Sequence, residues 1–252
     1  MSRRGFTRSF ALAAGALAVA SLAAPISLFG MRHASDGKPT VAVMYFNNGA
    51  LSQHDDYEPL RKGIADVLIT ELAANDSIRV VERDQLQKLL EEQNLATAGR
   101  VDEATAVKVG KLLGAQHMIF GGYVIDKKGR MRLDARAVNV ETSEIEYVST
   151  VSDDADDVLA LISKLASQLN QGMKLPGPRG AAAPTTTGAK SNPAALKSLI
   201  LYARAVGAQD ARDNKQAATL YQQFLDSSPS TVMVAQRTMA QDKLRELQEA
   251  GS

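Results

Sequence analysis

The sequence contains no cysteine. That excludes disulfides, thiolate metal sites, a cysteine nucleophile and the lipid-bearing cysteine of a bacterial lipoprotein. Excess charge of either sign is missing too, since 29 Lys and Arg stand against 28 Asp and Glu. Such a balance argues against nucleic acid or a polybasic hold on a membrane surface. Only three histidines occur, His33, His54 and His117, and none lies at metal-ligand spacing from another. His117 opens an apolar run, where a structural role fits, and His54-Asp55-Asp56 supplies carboxylates ahead of a helix. Asp153, Asp154, Asp156 and Asp157 lack the central glycine and distal glutamate of a calcium loop and suit a helix N-terminus. Gly121-Gly122 is not a G-x-G-x-x-G phosphate loop, and close backbone packing or a bulge accounts for it. The residues thus give no catalytic group, no cofactor and no metal site.

What is present starts with an export signal. Arg3, Arg4 and Arg8 precede an uncharged apolar stretch from Phe10 to Phe29, the layout of a signal peptide. The order Ser2-Arg3-Arg4-Gly5-Phe6 resembles the twin-arginine signature, with an ordinary Sec signal as the alternative. Small residues place cleavage after Ala20 or Ala23. An uncleaved anchor is the other reading, since about 20 apolar residues span a bilayer, although Ser21, Pro25 and Ser27 weaken it. Removing residues 1–23 takes away three arginines, and the formal charge of +1 falls to about −2. The expected location is the periplasm.

The remaining chain, 45% apolar overall, has room for one domain of ordinary size and something smaller. Val41 to Phe46 is a buried-strand run ending at a turn, Asn47-Asn48-Gly49. Tyr57, Leu60, Ile64, Val67, Leu68 and Leu72 then mark a helix with one core face and Arg61, Lys62, Asp66 and Glu71 on the other. A strand at Ser77–Val81 feeds a helix bearing Leu86, Leu89 and Leu90. Asp102 opens a further helix, which Gly114 closes. His117–Ile125 and the alternating Met131–Ala137 form a hairpin with one wet face, and the reversed alternation at Val138 and Val140 implies a bulge or a fully buried end. Ile145–Val151 is a last strand and Val158–Leu169 a closing amphipathic helix. The order is βαβααβββα, an α/β (α+β) mixed sheet with helices over residues 39–171.

Several of these segments carry a resemblance. Val80-Val81-Glu82-Arg83-Asp84-Gln85-Leu86 with Glu91-Glu92-Gln93, then Val109 to Ala115, then Val138-Asn139-Val140-Glu141-Thr142, resemble the CsgG family of cell-envelope proteins. Val41-Ala42-Val43 and Gly63-Ile64-Ala65-Asp66 are similar to it as well. The resemblance implies an envelope protein that is not an enzyme, with a fold related to the N-terminal domain of TolB and to LpoB. Glu82, Arg83, Gly114, Gly121 and Gly122 are its motif residues, read as structural, with Glu82 and Arg83 as an ion pair at the strand-to-helix junction. The curli secretion channel of this family adds long barrel hairpins. Here the connections at Lys127–Arg130 and Glu141–Glu144 are too short for an inserted one.

Residues 172–193 hold Pro176, Pro178, Pro184 and Pro193 among Gly, Ala and Thr and read as a linker. Beyond it, over 194–250, helices are expected at Leu196–Asp210, Lys215–Ser227 and Thr231–Leu247. Ala217, Tyr221 and Pro229 fall where a tetratricopeptide-like repeat places its small residue, aromatic knob and proline. A lone repeat cannot cover its apolar stripe, so Leu201, Ala205, Tyr221 and Leu225 are candidates for partner binding or self-association. An α-hairpin packed on its own domain is the plainer alternative. The function expected is a periplasmic interaction or assembly-accessory protein with protein partners in the envelope and a possible homo-oligomer. A subunit of a curli-type outer-membrane channel, or a ligand-binding or hydrolytic α/β domain, are the alternatives.

Overall fold

The computed structural model describes residues 37–95, 101–177 and 194–250. The expected signal segment and most of the expected linker lie outside them. Strand β1 (Thr40–Val43) is the buried apolar run. It lies between β3 (Arg79–Val80) and β4 (His117–Ile125), parallel to both. Asn47 and Asn48, expected in a turn, form a two-residue strand β2 (Asn47–Asn48) instead, parallel to β4 at Gly122 and Tyr123. Strands β5 (Arg130–Asn139) and β6 (Ile145–Asp154) continue antiparallel, and the sheet order is β3-β1-β4-β5-β6 with β2 beside β4.

Local chemistry accounts for the hairpins. Asp126 Oδ1 accepts the backbone N–H of Lys128 at 2.8 Å and of Arg130 at 3.0 Å, while Gly129 takes φ +78°. Asn139 Oδ1 does the same at the next corner for Glu141 and Thr142. At the reversed alternation of Val138 the register shifts between Ala137 and Val138, with Glu146 as the extra residue on β6, and both Ala137 and Val138 are buried. The acidic run after β6 starts a helix: the Asp154 side chain accepts the N–H of Asp156 and a single tight turn leads into α5 (Val158–Gly172).

Helices α1 (His54–Tyr57), α2 (Leu60–Ala73), α3 (Arg83–Glu92) and α4 (Glu103–Leu113) complete the α/β part. Asp102 caps α4 by accepting the Thr105 N–H, and Gly114 ends it at φ +66°, a left-handed position that costs glycine little. Helices α2 and α5 pack on one face of the sheet, and α4 covers part of the other. One expectation for α2 fails. Gly63 to Ile69 are all buried, Asp66 included, because α2 is covered on its far side by the tail.

That tail comprises α6 (Ala194–Asp210), α7 (Asn214–Ser227) and α8 (Val234–Ala250). Helix α6 lies on α2 so closely that a Cβ on Gly63 would stand 2.9 Å from Ala203 Cβ. The described residues cluster as one compact unit. The tail therefore packs on the α/β part rather than reaching away from it.

Candidate interaction surface

Two places gather polar side chains. The first is the seam between α2, α3 and the tail. The guanidinium of Arg83 donates to both oxygens of Asp210 at 3.0 and 2.9 Å, touches Asp84, and brings Nε to 3.8 Å from Asp66. Lys62 Nζ meets Asp210 at 2.5 Å and sits 5.4 Å from the centre of the Tyr45 ring, while Tyr45 donates to Gln87. From the tail, the Tyr202 hydroxyl donates to Asp66 Oδ2 at 2.7 Å and Gln236 donates to Thr70 at 3.0 Å.

Electrostatics of the seam follow from its dryness. Burial raises the Asp66 carboxyl above its ordinary range, with the Tyr202 hydrogen bond and Arg83 acting against that push. Burial would lower Arg83, yet Asp210, Tyr45 and Asp84 more than offset it, so the guanidinium is held more firmly charged. Burial likewise pushes the Tyr45, Tyr202 and Tyr221 hydroxyls up. This is a closed network whose chemistry is adhesive: it ties the last-made part of the chain to the first.

The second place is the open remainder of the sheet's outer face, a groove of about 830 Å³. Its floor is Phe120 and Gly122, and Asp134, Arg136, Val148 and Thr150 rise along β5 and β6. Asp134 binds Arg132 at 2.7 Å and Thr150 at 2.7 Å. At the rim, Asn47 exchanges two bonds with the backbone of Val101, at 3.1 and 2.9 Å, so its amide acts as a short piece of strand. His117 Nδ1 lies 2.7 Å from Glu146, and His54 Nδ1 3.6 Å from Asp55. Among the described residues no three His, Cys, Asp or Glu side chains come together as a metal cluster.

The residues singled out from the sequence are distributed as follows. Gly121 and Gly122 floor the groove. A Cβ on Gly121 would lie 2.0 Å from the Asp134 carbonyl oxygen, and one on Gly122 3.0 Å from that of Asn47. Arg83 is buried and pairs with Asp66, Asp84 and Asp210, whereas Glu82, at the start of α3, is exposed. Ala205 and Tyr221 are buried within the chain, the Tyr221 hydroxyl on Gln209 at 2.7 Å. Leu201 and Leu225 are half-buried. Asp66, Asp210 and Tyr202, which join the two parts, escaped the sequence reading. The one available signal was an aspartate inside a helix whose neighbours Ala65 and Val67 are apolar.

Comparison with known proteins adds the following. The family model described as "Curli production assembly/transport component CsgG" matches residues 22–125. No curated protein matches the chain. Among solved structures, the LpoB C-terminal domain from Salmonella enterica is 19% identical, covering 48% of this chain and 87% of that one at a TM-score of 0.36. TolB from Acinetobacter baumannii is 12% identical, covering 55% and 29%, at a TM-score of 0.38. A PelC dodecamer from Paraburkholderia phytofirmans is 14% identical, covering 52% and 88%, at 0.32. At such identities and scores these likenesses carry no functional argument. The family match spans residues 22–125 and ends with β4.

Proposed function

We propose that this chain is a cell-envelope interaction or assembly-accessory protein, acting in the periplasm after its signal segment is removed. The observation that carries the reading is the match of residues 22–125 to the CsgG family model. No catalytic step is assigned. Both antiparallel connections in the sheet are short, four residues at Asp126–Gly129 and five from Val140 to Glu144, and this supports an accessory role over a pore built from long inserted hairpins. No described helix is long and apolar enough to cross a membrane.

The tail belongs to the same proposal. Leu201 and Leu225, half-buried at its rim, are the candidates for partner contact. Ala205 and Tyr221 serve that contact by holding the helices that present it. Crosslinking in intact cells followed by mass spectrometry of envelope fractions tests the reading. The expected result is a defined envelope protein joined to this chain. Recovery of the chain alone, or its extraction solely with detergent as a membrane ring, would overturn it.

A further inference from the structure

A cavity of about 390 Å³ opens at the edge of the seam, between the start of α2 and the second half of α6. Gly207 of α6 lines it. Glycine is the poorest helix former after proline, and at 207 nothing in the packing requires it. Its φ is not positive, its carbonyl takes the ordinary helical bond from Ala211 at 3.0 Å, and a Cβ built on it would touch nothing outside the helix backbone within 4 Å. Gly63 on the facing helix is the contrast, since the close approach of Ala203 leaves it no room for a side chain. The absent side chain at 207 keeps the cavity open.

The walls divide by chemistry. Tyr45 is buried with its hydroxyl spent on Gln87, so with Pro59 and Ala203 it offers the cavity an apolar side. Two cations reach the cavity from opposite sides of the seam, Lys62 from α2 and Arg204 from α6. Lys62 has three N–H donors, and Asp210 takes one of them at 2.5 Å. Arg204 is less engaged, because among the described residues its one carboxylate partner is Asp56, at 3.8 Å and itself well exposed. The wall's own carboxylates do not fill these donors. Glu58 accepts from Arg61 at 2.8 Å on one oxygen and from Asn48 at 2.9 Å on the other, and the Asp55 side chain stands fully in solvent beside His54.

We infer that this cavity binds a small organic anion, with its carboxylate between Arg204 and Lys62 and its apolar body against the Tyr45 ring and Ala203. A guanidinium can give a carboxylate two parallel N–H bonds, and apolar surface taken out of water beside it adds to the hold. Ligand pockets run from about 300 to 1,000 Å³. This one lies at the small end, which suits a molecule of amino-acid size rather than a polymer. Such a molecule touches α2 and α6 together. Its binding therefore holds the tail on the α/β part, by the mass-action stabilisation that any ligand of the folded state gives. The inference concerns the cavity alone and does not rest on the envelope role.

Isothermal titration and thermal unfolding of the full chain with benzoate, isobutyrate and N-acetylalanine are the test, with inorganic phosphate and sodium chloride at matched ionic strength as controls. At least one of the carboxylates should bind and should raise the melting temperature with its concentration, beyond either control. Gly207→Ala adds only a Cβ and should keep the binding. Gly207→Leu fills the space and should abolish it with circular dichroism unchanged. Arg204→Gln removes a charge-assisted hydrogen bond and should weaken binding by about tenfold or more. Its side chain is partly exposed, so it covers the case in which the leucine variant fails to fold. Failure of all the carboxylates to bind, an equal rise with phosphate or chloride, or an affinity unchanged in a folded Gly207→Leu or in Arg204→Gln would overturn the inference.

Discussion

Arg83 keeps its charge with 8% of its side chain exposed, and Asp210 grips it with both carboxylate oxygens while itself only 7% exposed. A buried pair of this kind is costly to break, because the survivor is left as an uncompensated ion. Asp210→Ala leaves Arg83 with Asp84 and the more distant Asp66 and frees Lys62 towards solvent, and a loss of about 3 kcal/mol, the low end for a broken buried pair, is expected in denaturant unfolding. Asp66 gives a pH signature. Its folded-state pKa is raised, so its contribution to stability is complete below the unfolded value and fades as pH rises through the folded one. Asp66→Asn is neutral throughout. Its melting temperature relative to wild type should climb as pH increases from about 4, the ordinary aspartate value, towards neutrality. A difference that stays flat would mean that Arg83 keeps Asp66 ionised. Neither residue announced this role in the sequence: Glu82 stands next to Arg83, whereas the partner that holds it lies 127 positions away.

Elements whose partners are near in sequence were the legible ones. The alternation of Met131, Leu133 and Ala135 against Arg132, Asp134 and Arg136 fixes which face of β5 is wet, and Gly114 marks where α4 must stop. Two elements were not legible. Strand β2 is too short to show a period, and its asparagines look like turn residues until β4 is placed beside them. Helix α2 reads as amphipathic, yet Gly63 and Asp66 face α6, an element whose approach no local pattern encodes. Gly63→Leu would force α2 and α6 apart and should lower the melting temperature while leaving the β5–β6 ladder protected in hydrogen exchange. Within the tail, Tyr221 packs beside Tyr202 at 6.3 Å between ring centres, and Tyr202 lies 5.4 Å from Phe224. Arg237 donates to the carbonyls of Leu225 and Ser228 at the end of α7. Tyr221→Ala empties one side of this cluster, and about 3 kcal/mol or more should be lost, as for other large-to-small changes in a core. A loss well under 1 kcal/mol would show that the helices close over the gap.

For the whole molecule, the tail is a wall of the core and not a pendant. A chain ending at Gly177 would expose the α2 surface around Gly63 and leave Asp66 and Arg83 without Tyr202 and Asp210. Its melting temperature should fall by several degrees against the full chain, and adding residues 194–252 as a separate peptide should restore part of the loss. Equal melting temperatures would show that the α/β part is self-sufficient. The seam also imposes an order in time. Chains emerge from their N-terminus, and contacts far apart in sequence pay loop-closure entropy before they reward it. Arg83 is made long before Asp210, and Asp66 long before Tyr202, so the first half of the protein waits, incompletely packed, until the final helices arrive to lock it.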